Sequence, residues 1–420
     1  MPAQTEMELT KEISELMHWM SECGEDPEGG ISRFLYSNEW IAAQKRLESL
    51  FFQEGLTVQY DEVGNLFGKM EGSKYPNETI LTGSHIDTVK NGGLYDGQYG
   101  IVAGFLAIKH LKEMYGQPLR NIEVVSIAEE EGSRFPFTFW GSKNIVGRVH
   151  QDEVKNLKDK DGKLFVDAME EAGFNFRATS HNVREDLKAF VELHVEQGKV
   201  LEIEKKTIGI VQNIVGQRRF TIELTGEANH AGTTPMKYRK DTLSSASHII
   251  HMINTLVLEY GGPLVATVGK MEIEPNISNV IPRKTTFTLD IRHTEKETLS
   301  KFTDEIVKKM KKIARQADVL IDINMWMDVD PVPMDQRVVD IIKNQCEKYQ
   351  INYKLMNSGA GHDSQIIAAH VPTAMIFTPS HKGISHSPYE YTRPEDLVEG
   401  LQLLINTLYD LAYSQEEILQ

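Results

Sequence analysis

Hydrophobic residues recur along this chain with two different spacings. Over residues 5–22 and 36–54 they fall three and four apart, the repeat of one helix face, and Ser37 stands where its hydroxyl can cap a helix carrying Trp40, Ile41 and Leu47. From Thr79 the pattern reads as strand, helix, strand: ETILTGSH, then YGIVAGFLAIKHLKEM, then NIEVVSIAEEE. Strands that are apolar throughout and alternate with helices predict an α/β fold with a mostly parallel sheet covered by helices. In such a sheet ligands gather at the carboxyl ends of the strands, where His85 and Glu129–Glu131 stand.

Between about Ile214 and Met327 the texture changes. RRFTIELTGEA alternates apolar and polar positions, LVATVGKMEIEP, TTFTLDIRH and VLIDINMWM read as further strands, and helices are expected over 239–259 and 295–316. This β-α-β-β-α-β series predicts a separate α+β unit. After Pro331 the first pattern resumes in a helix near 336–349, the strand TAMIFTP and a helix over 394–413. The expected organisation is a discontinuous catalytic domain, 1–213 and 328–420, interrupted by an inserted lid at 214–327. The lid's long helix carries Leu243, Ala246, Ile249, Ile250 and Ile253 beside a small sheet covered on one face. Apolar surface and an open sheet edge left over there predict pairing with a second copy, a homodimer.

At 420 residues, with 40% hydrophobic and 25% charged positions, the chain is long enough for two or three domains with cores of their own. Its 45 basic residues are outnumbered by 61 acidic ones, a net charge of -16, and form no basic block, which argues against nucleic acid as a partner. Cys23 and Cys346 are too few for a disulfide framework or a thiolate metal site. The segment MPAQTEMELTKEISELM has no apolar core of a signal peptide, and no apolar run approaches the roughly 20 residues of a membrane span. A cytoplasmic protein without a membrane partner is expected.

Five short segments concentrate His, Asp and Glu beside Gly, Ser or Pro: GSHIDT with His85 and Asp87, GGLYDGQYG with Asp96, AEEEGSRF with Glu129 to Glu131, ELHVEQG with His194, and GISHSPYE with His386. Imidazole and carboxylate donors without thiolates suit Zn²⁺, Mn²⁺ or Co²⁺. A lone histidine is more often a hydrogen-bonded core or surface residue, and a glutamate triplet a solvated face; the recurrence of such segments after strand-like runs is what favours a site. A pair of divalent ions needs a bridging carboxylate to reduce their repulsion, and a further carboxylate to take a proton from water. His362 and Asp363 in SGAGHDSQ offer another pair by composition alone.

The ordered series GSHIDT, YDGQYG, AEEEGSRF, ELHVEQG, HAGTTPM, NVIP, DIRH, SGAGHDSQ and ISHSP runs over nearly the whole chain and resembles the hydantoinase/carbamoylase branch of the dinuclear M20 metallopeptidase family. The resemblance implies two divalent ions per subunit, Mn²⁺ foremost with Zn²⁺ or Co²⁺ as alternatives. It places His85 and His194 on one ion, Glu131 and His386 on the other, and Asp96 between them, with Asp87 orienting His85. Glu130 becomes the general base and acid, because Gly132 directly follows Glu131 as in carbamoylase-like sequences. A cis peptide after Asp96 is implied too. His230 is the implied donor to the oxyanion, Arg292 and Asn279 the holders of a substrate carboxylate, Arg218 the position at which allantoate-cleaving members touch substrate, and Gln197 a further polar contact. The implied reaction is hydrolysis of a ureido group, from allantoate to ureidoglycine, ammonia and carbon dioxide in allantoin nitrogen salvage, with N-carbamoyl-L-amino acids as the alternative substrates. A homodimer through the inserted unit is implied as well.

Overall fold

The computed structural model describes residues 3–176 and 184–415. In chain order its strands are β1 (Thr57–Tyr60), β2 (Leu66–Met70), β3 (Tyr75–His85), β4 (Arg120–Ile127), β5 (Leu187–Val195), β6 (Ile208–Ile214), β7 (Gly216–Thr225), β8 (Val265–Thr267), β9 (Met271–Glu274), β10 (Lys284–His293), β11 (Leu320–Val329), β12 (Val332–Pro333), β13 (Tyr353–Ser358) and β14 (Thr373–Thr378). They form two sheets, and the chain divides into two compact units: Met1–Gln212 with Pro333–Gln420, and Asn213–Val332.

In the first unit the strand order is β1-β2-β4-β3-β5-β14-β6-β12, with β13 on β6. Four central neighbours, β4, β3, β5 and β14, run parallel, whereas β1–β2, β2–β4 and β14–β6 pair antiparallel. Parallel pairing needs crossover connections, and the helix Gln98–Tyr115 supplies one between β3 and β4. That helix is buried on most of its surface because it lies directly on the sheet: a Cβ on Gly100 would fall 2.5 Å from the Leu193 carbonyl. The expected N-terminal helices are Ala3–Ser21 and Asn38–Gln53, the second capped by Ser37, whose Oγ accepts the Trp40 N–H at 3.2 Å. The helix Pro394–Tyr413 buries Leu397, Leu401, Leu404 and Leu408. No helix of the described residues is long and apolar enough to cross a membrane.

In the second unit β11-β7-β10-β8 form an antiparallel sheet with β9 also on β10, so the expected strand LVATVGKMEIEP is broken in two. Helices Thr242–Tyr260 and Lys296–Gln316 close one face, packing Ala246, Ile249, Ile253, Phe302 and Ile306 against Phe220, Ile222, Phe287 and Leu289. The sheet covered on a single face is as expected. The helix's apolar stripe serves its own sheet, with Ala246, Ile249 and Ile253 at most 1% exposed, and its outward face is Ser244, Ser247, His248, His251 and Asn254. What remains open in this unit is the other face of the sheet, its edges and the exposed Leu258 on the helix.

Candidate metal centre

The site grows out of the four parallel strands. His85 ends β3, Glu129 to Glu131 follow β4, His194 is the penultimate residue of β5, and His386 lies in the segment after β14. Neighbouring parallel strands put their carboxyl ends side by side, so residues as far apart as 85 and 386 meet. Asp96 comes from the loop before the helix Gln98–Tyr115, where Gly97 turns the chain with φ of 65°. The turn is made there without a cis bond: the cis peptides of the described residues precede Pro263 and Pro275, and the one implied after Asp96 is not among them.

Asp96 organises the group. Its Oδ1 lies 3.5 Å from His85 Nε2 and 3.2 Å from His194 Nε2, and its Oδ2 lies 3.3 Å from His386 Nε2, which in turn is 3.4 Å from Glu131 Oε1. His85, Asp96 and His194, and again Asp96, Glu131 and His386, offer ligand atoms within 4.8 Å of one another. The far side of each inner ring is occupied: His85 Nδ1 sits 3.0 Å from the Asp87 carbonyl and His194 Nδ1 2.9 Å from the Val195 carbonyl. Those Nδ1 atoms donate, which leaves the Nε2 lone pairs turned inward. Gly97 N–H points at His194 Nε2 from 3.2 Å, and Asp96 Oδ1, though buried, has no hydrogen-bond partner. Lone pairs facing a carboxylate oxygen call for a cation between them, so these residues fit two divalent ions that share Asp96.

Without an ion between them, the carboxylates and imidazoles act on one another's protons. Burial works to raise the Asp96 carboxyl, yet the His194, His386 and His85 partners hold it well below the usual range. Burial works to lower His85, but the Asp87 and Asp96 carboxylates lift it well above its ordinary value; Asp96 lifts His386 to about 9, against burial. Glu131 is pushed up to about 7 by burial and by Asp96, and Glu130 well above the carboxylate range by burial and by the Glu131 charge. Asp87 ties the parts together, standing 3.3 Å from His85 Nδ1 and accepting the Glu130 and Glu131 amides at 2.9 and 3.1 Å. Gln197 belongs to this group through Asp96: its Nε2 donates to Oδ2 at 2.9 Å. His362 and Asp363 are buried beside it, but His362 bonds Ser358 Oγ at 2.9 Å, and Glu192, which could complete a third group with His194, already accepts from Ser84 and Ser364.

His230, Asn279, Arg292 and Arg218 all belong to the second unit. His230 and Asn279 lie on adjacent segments, joined by the Ala231 N–H donating to the Asn279 carbonyl at 3.0 Å. The His230 ring is exposed, and its Nδ1 accepts the Gly232 N–H at 3.0 Å, so the neutral ring carries its proton on Nε2, facing outward as a donor. Arg292 stands on the sheet face away from the helices, its guanidinium forked onto Asp290 at 2.9 and 3.1 Å. Arg218 turns the other way. It is 8% exposed on the helix-covered face, bonding Asp328 at 2.7 Å and Ser300 at 3.1 Å. Its neighbour Arg219, which sequence reasoning passed over, shares the open face with Arg292 through Asp290, at 2.8 Å. Strand alternation was the signal that separates 218 from 219; which face the helices cover was not readable from it. Ser385 and Glu390 were missed too, although both lie within the His386 segment.

Residues 81–410 match the family described as Peptidase family M20/M25/M40. The chain is 51% identical over 403 residues to the allantoate amidohydrolase of Escherichia coli (strain K12), covering 96% of this chain and 98% of that protein. It is 35% identical over 394 residues to the N-carbamoyl-L-amino-acid amidohydrolase of Pseudomonas sp. (strain NS671), covering 93% and 95%. Its fold matches the crystal structure of an amidase of the hydantoinase/carbamoylase family from Burkholderia multivorans with a TM-score of 0.92 and 32% identity, over 96% of this chain and 98% of that one.

Proposed function

Because the chain belongs to the M20/M25/M40 peptidase family, in its hydantoinase/carbamoylase branch, we propose that it hydrolyses allantoate to ureidoglycine, ammonia and carbon dioxide. The reading is supported by the 51% identity to an allantoate amidohydrolase over almost the whole chain, against 35% for a carbamoylase. The observation that carries the chemistry is Asp96, whose two oxygens each face a separate set of inward-turned ligands.

In this reading His85, His194 and Asp96 hold one divalent ion, and Asp96, Glu131 and His386 the other, with Mn²⁺ as the first candidate. When bound, such a pair supplies an activated water and polarises the ureido carbonyl. Glu130 takes the proton of the attacking water and passes it to the departing nitrogen. A carboxylate beside the attacking water can take its proton and return it as the acid in the next step. Asp87 fixes the Glu130 and Glu131 amides, so base and ligand are set by one carboxylate. His230 donates from Nε2 to the carbonyl oxygen as charge builds there. Asn279 and Arg292 hold the substrate carboxylate, Arg292 through a guanidinium that Asp290 holds in place, and Arg219 adds a second guanidinium on the same face, whereas Arg218 secures β7. The second unit is also the proposed dimer contact, and two buried free thiols, Cys23 and Cys346, fit a reducing cytoplasm.

The test is ammonia release from allantoate and from a panel of N-carbamoyl-L-amino acids after reconstitution with Mn²⁺, Co²⁺ or Zn²⁺. Higher kcat/KM for allantoate is expected. Preference for any N-carbamoyl amino acid would move the assignment to a carbamoylase.

A further inference from the structure

Glu390 has no part in the reading above, yet it is only 6% exposed and its carboxylate is fully engaged. Oε1 accepts the backbone N–H groups of Tyr95 at 2.8 Å and Asp96 at 3.0 Å. Ser385 Oγ lies 3.2 Å from Glu390 Oε2 and 3.2 Å from Asp96 Oδ2, so one hydroxyl proton serves both. Gly93 forms the floor of this contact, since a Cβ there would fall 2.2 Å from Glu390 Oε1. The carboxylate thus joins two loops, 93–97 carrying Asp96 and 385–390 carrying His386.

The two proposed ion positions are supported in different ways. His85 and His194 stand at strand ends with their Nδ1 atoms fixed by backbone carbonyls. The His386 side chain is 48% exposed, on a backbone with φ of 53°, and among the described residues no hydrogen bond holds its Nδ1. Its placement opposite Asp96 Oδ2 therefore depends on how the two loops meet. We propose that Glu390 is a positioning residue for the ion held by Asp96, Glu131 and His386, acting through the Tyr95 and Asp96 amides and leaving the His85–His194 position to the sheet. The proposal rests on the dinuclear reading.

The test is Mn²⁺ binding to the chelator-stripped full chain, followed by calorimetry and elemental analysis. Wild type is expected to take two Mn²⁺. Glu390→Ala should keep the first at wild-type affinity and bind the second about 10–100-fold more weakly, the usual cost of losing a partner behind a metal ligand. Glu390→Gln retains a carbonyl oxygen for both amides and should bind both ions as wild type does. Gly93→Ala, which displaces the Glu390 side chain, should reproduce Glu390→Ala, and excess Mn²⁺ should restore turnover in both. Circular dichroism checks folding, and if Glu390→Ala does not fold, Gly93→Ala against Glu390→Gln makes the same comparison. Unchanged binding of both ions in Glu390→Ala or Gly93→Ala, equal weakening of both, or a glutamine variant as weak as alanine overturns the proposal. A wild-type chain that takes fewer than two Mn²⁺ overturns the dinuclear reading instead.

Discussion

Asp96 Oδ1 is a buried carboxylate oxygen without a hydrogen bond, set between two imidazole nitrogens whose protons lie on their far sides. In the proposed arrangement Glu131, 3.4 Å from His386, is the ligand of the glutamate triplet and Glu130, which shares a donor group with His85 and Glu131, the base. Glu130→Gln should retain both metals while kcat falls about 10²–10⁴-fold, because the amide keeps the shape and loses the proton exchange. His386→Ala should instead lose metal; elemental analysis of the two variants beside their rates separates base from ligand. The arginine pair gives a second test. Arg218→Ala removes the bonds to Asp328 and Ser300 and should lower Tm without altering the ratio of kcat/KM between allantoate and N-carbamoyl amino acids. Arg219→Ala should shift that ratio with little effect on Tm, and the reverse pattern would return the substrate role to Arg218. Cys346, fully buried with its thiol pushed up to about 12 by burial and by Glu399, should resist an aromatic disulfide reagent at pH 8 until denaturant is added.

At the scale of elements, the site exists because four parallel strands end together and because one turn residue is small. Gly97 combines a positive φ of 65° with contact so close that a Cβ would lie 2.4 Å from the His85 carbonyl and 2.5 Å from its ring. Gly97→Ala should therefore lower both Tm and metal content. Gly116→Ala is the control: it has a similar φ of 72°, with ψ of -144°, but nothing within 4 Å, so it should cost only backbone strain of about 1–3 kcal/mol and leave the metals in place. Thermal unfolding and metal analysis of the two proteins divide strain from collision. The strongly periodic elements were legible in sequence to within a few residues, among them the helices Ala3–Ser21, Gln98–Tyr115, Gln336–Tyr349 and Pro394–Tyr413. β1 and β2 were not singled out: β1 is four half-exposed residues, and nothing in TVQY distinguishes it from a loop until β2 pairs with it.

For the whole molecule, assembly is the open quantity, and the edges of the second unit's sheet bear on it. β11 is protected by a bulge between Met325 and Met327 and by Asp322 and Asp328, the usual devices against edge pairing. The β8 and β9 edge has no bulge and exposes Val265 and Met271. Light scattering is expected to give twice the 47.6 kDa chain mass, and Val265→Asp to shift the protein to monomer. A wild-type monomer would overturn the expected dimer, and a dimer indifferent to that charge would place the contact elsewhere. Sequence by itself determined the alternation of helix and strand, the chemistry of the donors and their order along the chain, because periodicity and residue type are local properties. The tertiary structure alone decided that the apolar stripe of the helix Thr242–Tyr260 is spent on its own sheet, that Arg218 lies under the helices while Arg219 does not, and that Glu390 reaches the amide of Asp96. Those outcomes depend on which sheet face the crossover helices cover and on contacts between residues nearly 300 positions apart, and such long-range packing leaves no imprint on the neighbouring residues of a single chain.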